Sequence, residues 1–270
     1  MTWNIMVTGA AGQYGSMAID YIKKLNPEVK LFGLVHSPTK AESVKAKGVE
    51  VRIGDFSDKA SLIKAFQVDA AKECGIQYIA YTSINGVDTP KFGLEINHGQ
   101  TEQWIKESGI PYTFLRNSWY VDLDEGILYA AKNTGRFLYT TSDGKISYGL
   151  RREYAEAGAK VILKENNPPV YNFSRTAFTY PELGKAVEEA LGKKLEMAEV
   201  TMEEFEKYLD EAKVRPFGKS ISKNMQSYVK GGNNGEAEST SKDFEEVLGR
   251  PLEPLSTVVK EFLEAQLRNY

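Results

Sequence analysis

The chain has 270 residues, enough for a sizeable core in one large or two small domains, and its 34 basic and 37 acidic residues leave a formal charge of −3. Without a basic stripe interleaved with aromatics, nucleic acid is excluded as a main partner, and one cysteine, Cys74, with two histidines rules out an internal disulfide and an ordinary zinc site. No long apolar run or leader pattern is present, so a cytoplasmic protein with no metal and no membrane partner is expected.

A short apolar strand, Asn4-Ile5-Met6-Val7, runs into Gly9-Ala10-Ala11-Gly12-Gln13-Tyr14-Gly15 and then into a helical pattern from Met17 to Ile22. Glycines in a strand-to-helix turn allow a tight bend, close approach of backbone to a pyrophosphate and close helix packing, while the helix start supplies N–H groups and partial positive charge. This is the pattern of a dinucleotide-phosphate cradle. The nearly continuous apolar run Leu31 to Val35 predicts a second, buried parallel strand. Helix Lys40 to Lys47 ends at Gly48, and Val49 to Ile53 alternates as a third strand before Gly54-Asp55. Asp58 to Cys74 reads as helical, and Tyr78 to Thr82 as the next strand. The β-α-β-α-β order predicts an α/β fold with a doubly wound parallel sheet.

Glu102 to Ser108 predicts a helix closed by Gly109, followed by strand Tyr112 to Leu115 and helix Asp124 to Lys132, which runs up to Gly135. Beyond Tyr148 come a helix from Glu153 to Leu163, strand Val170 to Phe173 and several amphipathic helices. Thr201-Met202-Glu203-Glu204 has the spacing of a capping box. Gly231 to Gly235 reads as a loop.

An NAD site places an acid near the end of the second strand, to hold the ribose hydroxyls. Here that stretch is Val35-His36-Ser37-Pro38-Thr39-Lys40. No carboxylate is present to repel a 2′-phosphate, and His36 and Lys40 can donate to one, so NADP(H) is favoured over NAD(H). None of the fifteen tyrosines has lysine four residues on; Tyr112, Tyr148 and Tyr171 have arginine there, which stays protonated. Without a tyrosine acid tuned by lysine, the expected acceptor needs little protein-supplied protonation, such as a quinone or a resonance-stabilised cation.

Site residues belong at the carboxyl ends of the parallel strands. Tyr81, Thr82 and Ser83 end one strand, and Arg116, Asn117, Ser118, Trp119 and Tyr120 end the next. Asn117, Trp119 and Tyr120 are candidates to line the acceptor, although Trp119 and Tyr120 equally suit an interdomain core. His98, expected just before a helix, is a candidate donor to a developing oxyanion, with helix capping as its alternative.

Val7 to Gln13, Gly54-Asp55-Phe56, Ile79 to Ser83, His98-Gly99-Gln100-Thr101-Glu102, Tyr112 to Asn117, Asp143-Gly144-Lys145-Ile146 and Leu248-Gly249-Arg250-Pro251 together resemble the NmrA-like, atypical short-chain dehydrogenase group. Within it they resemble the bacterial NADPH-dependent quinone and triphenylmethane reductases. The resemblance implies a Rossmann-type NADP-binding domain, with a smaller, mostly helical C-terminal domain closing over the nicotinamide. Residues 1–150 are assigned to the first domain and 151–270 mostly to the second, the helix and strand of 151–175 returning to the first. Carried over by position, Gly9, Ala10, Ala11, Gly12, Gln13, Tyr14 and Gly15 would hold the pyrophosphate, and Asp55 and Phe56 the adenine side. Ser118, Trp119, Tyr120, Val121 and Asp122 with Lys145 would lie along the nicotinamide half, and Thr82 and Ser83 are further cofactor-binding candidates. His36 stands where the group has arginine. At Phe66-Gln67-Val68-Asp69 a strand and its cofactor loop are missing relative to the group, so either one uninterrupted helix runs through this stretch and the strand is truly absent, or a strand and loop belong here and have been removed.

The leading expectation is therefore hydride transfer from NAD(P)H to a quinone-like small molecule. A non-catalytic NADP-binding sensor is the alternative, and a sugar-nucleotide enzyme is disfavoured by the missing Tyr-to-Lys spacing. Homo-oligomerisation is left open.

Overall fold

The computed structural model describes residues 4–54, 76–90, 92–231 and 241–267. The expected helix Asp58 to Cys74, the junction at Gln67-Val68, most of the Gly231 to Gly235 loop, and the site candidates Asp55 and Phe56 lie outside the described residues.

Strands β1 (Asn4–Val7), β2 (Lys30–Val35) and β3 (Glu50–Ile53) pair in parallel in that order, Ile5 opposite Leu31 and Gly33 opposite Val51. Helices α1 (Gln13–Leu25) and α2 (Ala41–Lys45) join them through a core of Ile5, Ile19, Ile22, Leu31, Val35 and Val44. A second parallel group contains β4 (Ile79–Ile84), β5 (Tyr112–Asn117) and, on the far side of β5, β10 (Val170–Phe173). Among the described residues no ladder joins β1 to β4.

Helix α3 (Leu94–Ser108) follows β4 and begins well before the expected Glu102, entered through Gly93 at φ 98° and closed by Gly109 at φ 71°. Its buried positions are Glu95 and Glu102, so it shows little of the apolar periodicity by which a helix is read from sequence, and Asn97 and Gly99 are weak helix formers. His98 accordingly lies inside this helix, not before it.

Helix α4 (Glu125–Thr134) starts the helical part, and three short strand pairs brace it. These pairs are β6 (Trp119–Tyr120) with β9 (Tyr148–Gly149), β7 (Arg136–Tyr139) with β12 (Glu196–Glu199), and β8 (Lys145–Ile146) with β11 (Phe178–Thr179). Helices α6 (Tyr180–Leu191), α7 (Met202–Glu211), α8 (Pro216–Lys230), α9 (Asp243–Leu248) and α10 (Leu255–Leu267) complete it. Its larger core includes Ile127, Phe137, Leu183, Phe205, Met225 and Val258. Thr201 and Glu204 make both arms of the capping box, and Thr179 with Glu182 makes another. Helix α5 (Arg151–Ile162) lies against α1, where Ala159 joins the core beneath β1 and β2.

Candidate cofactor and acceptor site

The turn between β1 and α1 has the build that a pyrophosphate requires. Gly9 has φ +57°, a left-handed conformation that favours glycine, and its carbonyl accepts from the Gly12 N–H at 2.8 Å. A Cβ on Gly15 would lie 2.4 Å from the Gly9 oxygen, so any side chain there would displace the turn. Ala10 donates to the Leu34 carbonyl at 3.0 Å, and a Cβ on Gly33 would approach the Ala10 Cβ to 2.9 Å. Gly33 was not singled out from the sequence; its signal is a glycine within an apolar parallel strand, which marks close approach of another chain segment. Helix α1 has no side-chain cap and no acid in its first turn, so its N-terminal dipole is not offset by the protein. These residues fit a dinucleotide phosphate.

At the carboxyl end of β2, His36 and Lys40 are both exposed, and Lys40 closes the short helical turn Pro38–Lys40. No acid lies between Val35 and Lys40. The edge is therefore open to a 2′-phosphate.

The ends of β4, β5 and β10 are stitched together by backbone. Asn85 N–H donates to Asn117 O, and Ser118 N–H to Phe173 O, each at 2.9 Å, while Trp119 N–H reaches Ser147 O at 3.2 Å. Asn85 Nδ2 donates to Ser118 Oγ at 2.8 Å, and Asn117 Nδ2 to Tyr120 Oη at 3.3 Å. Arg151 of α5 bonds Asp122 through Nε at 3.1 Å and also through Nη2, and its guanidinium sits 4.4 Å from the centre of the Tyr120 ring. Burial pushes the Tyr120 hydroxyl above its ordinary 10.0, so it remains a neutral phenol. Tyr14, from the phosphate turn, donates to Tyr154 O at 3.0 Å, and the Tyr154 ring meets Tyr120 at 5.3 Å. The fold thus brings Tyr14, Asn117, Ser118, Tyr120 and Asp122 to one place. Arg151 and Tyr154 belong with them and were missed, because their partners lie far away in sequence.

Other candidates are occupied differently. Ser83 is 5% exposed and donates to the buried carboxylate of Glu102 at 2.7 Å, so its hydroxyl faces the strand–helix interface. That carboxylate also takes Arg116 Nε at 2.9 Å and Nη2 at 2.7 Å. Thr82 points to the opposite side of β4 and is half-buried. Val121 is 1% exposed within the larger core and offers a ligand no side-chain surface. Lys145 is exposed on β8 opposite Thr179, two residues before Ser147. Trp119 is 3% exposed and packs edge-on against Phe92 and Tyr228. His98 Nδ1 lies 2.8 Å from Tyr81 Oη, and burial lowers the imidazole from its ordinary 6.5. Among the described residues no group of His, Cys, Asp and Glu could hold a metal ion, and no helix is long and apolar enough to cross a membrane.

The NmrA-like family matches residues 1–69. Quinone oxidoreductase 2 of Escherichia coli (strain K12) is 33% identical over 216 residues, covering 71% of this chain and 76% of the relative. The structure of NADPH-dependent quinone oxidoreductase from Escherichia coli complexed with NADPH matches with a TM-score of 0.82 and 29% identity, over 96% of this chain and 99% of that one. Citrobacter sp. triphenylmethane reductase complexed with NADP(H) matches with a TM-score of 0.83 and 31% identity, over 95% of this chain and 99% of that one. With a relative this similar over most of both lengths, and with a glycine turn and helix start built as described, the chain belongs to the NmrA-like family.

Proposed function

We propose that this chain is an NAD(P)H-dependent oxidoreductase that reduces quinones or similar conjugated acceptors, with NADPH the preferred donor. The observation that carries it is the uncapped, acid-free start of α1 behind Gly9, together with an acid-free β2 edge bearing His36 and Lys40. The names of the relatives point the same way, toward NADPH and quinones. Backbone from Gly9 to Gly15 would hold the pyrophosphate, His36 and Lys40 the 2′-phosphate, and the edge from Ser118 to Asp122 with Lys145 the nicotinamide half. NADPH, when bound, supplies the hydride. The protein's part is placement: Asn117 and Arg151 fix the Tyr120 ring, and Tyr14 ties the phosphate turn to α5. His98 stays a proposed hydrogen-bond donor to the oxyanion that develops on the acceptor, as a neutral imidazole whose Nδ1 is paired with the Tyr81 hydroxyl.

NADPH oxidation with a panel of quinones tests this reading. Turnover on at least one quinone is expected. Tight NADPH binding with no turnover on any acceptor would replace it with the non-catalytic sensor.

A further inference from the structure

We propose that the indole N–H of Trp119 is the hydrogen-bond donor to the carbonyl oxygen of the quinone, a role that rests on the reductase reading above. Trp119 is the second residue beyond β5, and its backbone belongs to the stitched carboxyl edge where β4, β5 and β10 end. Its ring lies 5.0 Å from Phe92, on the loop after β4, and 5.2 Å from Tyr228 of α8, so it sits where the parallel sheet meets the helical part. The ring is 3% exposed, yet Nε1 has no hydrogen-bond partner among the described residues. A buried tryptophan N–H ordinarily finds an acceptor, because leaving it unpaired costs the whole of its lost hydration.

A second unpaired atom lies at the same edge, Asn117 Oδ1. It accepts only, and a quinone carbonyl also only accepts, so of the two unpaired groups only the Trp119 N–H suits the quinone. The three aromatic rings suit a flat conjugated molecule, and Phe92, half-buried and carried by a loop, is the one able to yield to it. Reduction adds a hydride and its electron pair from NADPH to the quinone, giving NADP⁺ and a hydroquinone anion, which takes a proton from water. Trp119 gives up no proton; its N–H stabilises the negative charge that grows on oxygen, as an oxyanion-hole donor does.

Trp119→Phe keeps an aromatic ring and removes the N–H. With duroquinone, which carries no free ring position for thiol addition, kcat should fall roughly 10- to 100-fold. A readout independent of turnover is the indole N–H resonance of Trp119 in isotope-labelled, NADP⁺-loaded protein. Duroquinone should shift it downfield while the resonances of Trp3 and Trp104 stay in place. Phe variants at those two positions assign the signals even if Trp119→Phe fails to fold. An unmoved Trp119 resonance overturns the proposal, whether or not kcat falls, and so does an unchanged kcat. Wild-type protein that binds NADPH but reduces no quinone overturns the underlying reading instead, a result visible before any variant is made.

Discussion

The hydroxyl of Tyr81 and Nδ1 of His98 lie 2.8 Å apart and join β4 to α3. The next rung of the same interface is Ser83 on Glu102, at 2.7 Å. Four residues of helix and two of strand both advance about 6 Å, so the two rungs match in spacing. Burial raises Tyr81 above 10.0 and lowers His98 below 6.5, so both are neutral at pH 7. His98→Ala should lower quinone turnover by roughly 10- to 1000-fold and leave NADPH affinity unchanged. Steady-state rates with a parallel NADPH titration check this, and unchanged turnover would leave His98 a packing role alone.

Gly158 of α5 makes room for Tyr14. A Cβ at this position would lie 2.4 Å from Tyr14 Oη but 3.5 Å from both its ring carbon Cζ and Leu115 Cδ1. Only the hydroxyl is in the way. Gly158→Ala should therefore destabilise the protein by about 1–3 kcal/mol, as overpacking does, and much less in a Tyr14→Phe background. Urea unfolding of the four proteins in the double-mutant cycle measures the coupling, and strictly additive changes would contradict the close contact.

Asp124 is fully buried, its Oδ2 accepting from Tyr148 and, at 2.9 Å, from Tyr180. Loss of hydration outweighs these bonds and pushes its carboxyl up from 3.8 to about 6. The folded chain then binds more protons than the unfolded one between these values. Its contribution to stability is fully present below about pH 4, is lost as pH rises to about 6, and stays level above, a change of about 3 kcal/mol. Asp124→Asn cannot ionise and should remove this slope. Urea midpoints across this pH range should show the variant gaining on wild type as pH rises, and parallel curves would refute the burial argument.

Lys40 is exposed beside His36 at the end of β2. Facing a 2′-phosphate, its ammonium would contribute a charge-assisted hydrogen bond, so Lys40→Ala should weaken NADPH binding by about 1–3 kcal/mol and leave NADH binding nearly unaffected. Fluorescence titration with each cofactor measures it. Equal losses would place Lys40 away from that phosphate.

Much of the nucleotide half was legible because its signals are local. The strand, glycine turn and helix from Asn4 to Leu25 follow from residue types in order, and strand Val170–Phe173 emerged with its observed bounds. The start of α3 did not, because its buried positions are Glu95 and Glu102, whose burial depends on partners such as Ser83 and Arg116 brought in by the fold. Nor did the pairing of Arg151 with Asp122 and Tyr120, since no local spacing encodes a contact between α5 and the end of β5. Trp119 was correctly placed at the carboxyl edge, yet only packing shows that Phe92 and Tyr228 cover it.

The most direct test of the account is the stoichiometry of NADPH consumed and hydroquinone formed when the purified protein, without oxygen, is mixed with NADPH and duroquinone. The account predicts one hydroquinone for each NADPH oxidised, a slower reaction with NADH, and loss of both binding and turnover in Gly12→Val, whose branched side chain would fill the place where backbone must approach the pyrophosphate. NADPH bound by the wild-type protein, with no hydroquinone formed from this or any other quinone, would contradict it.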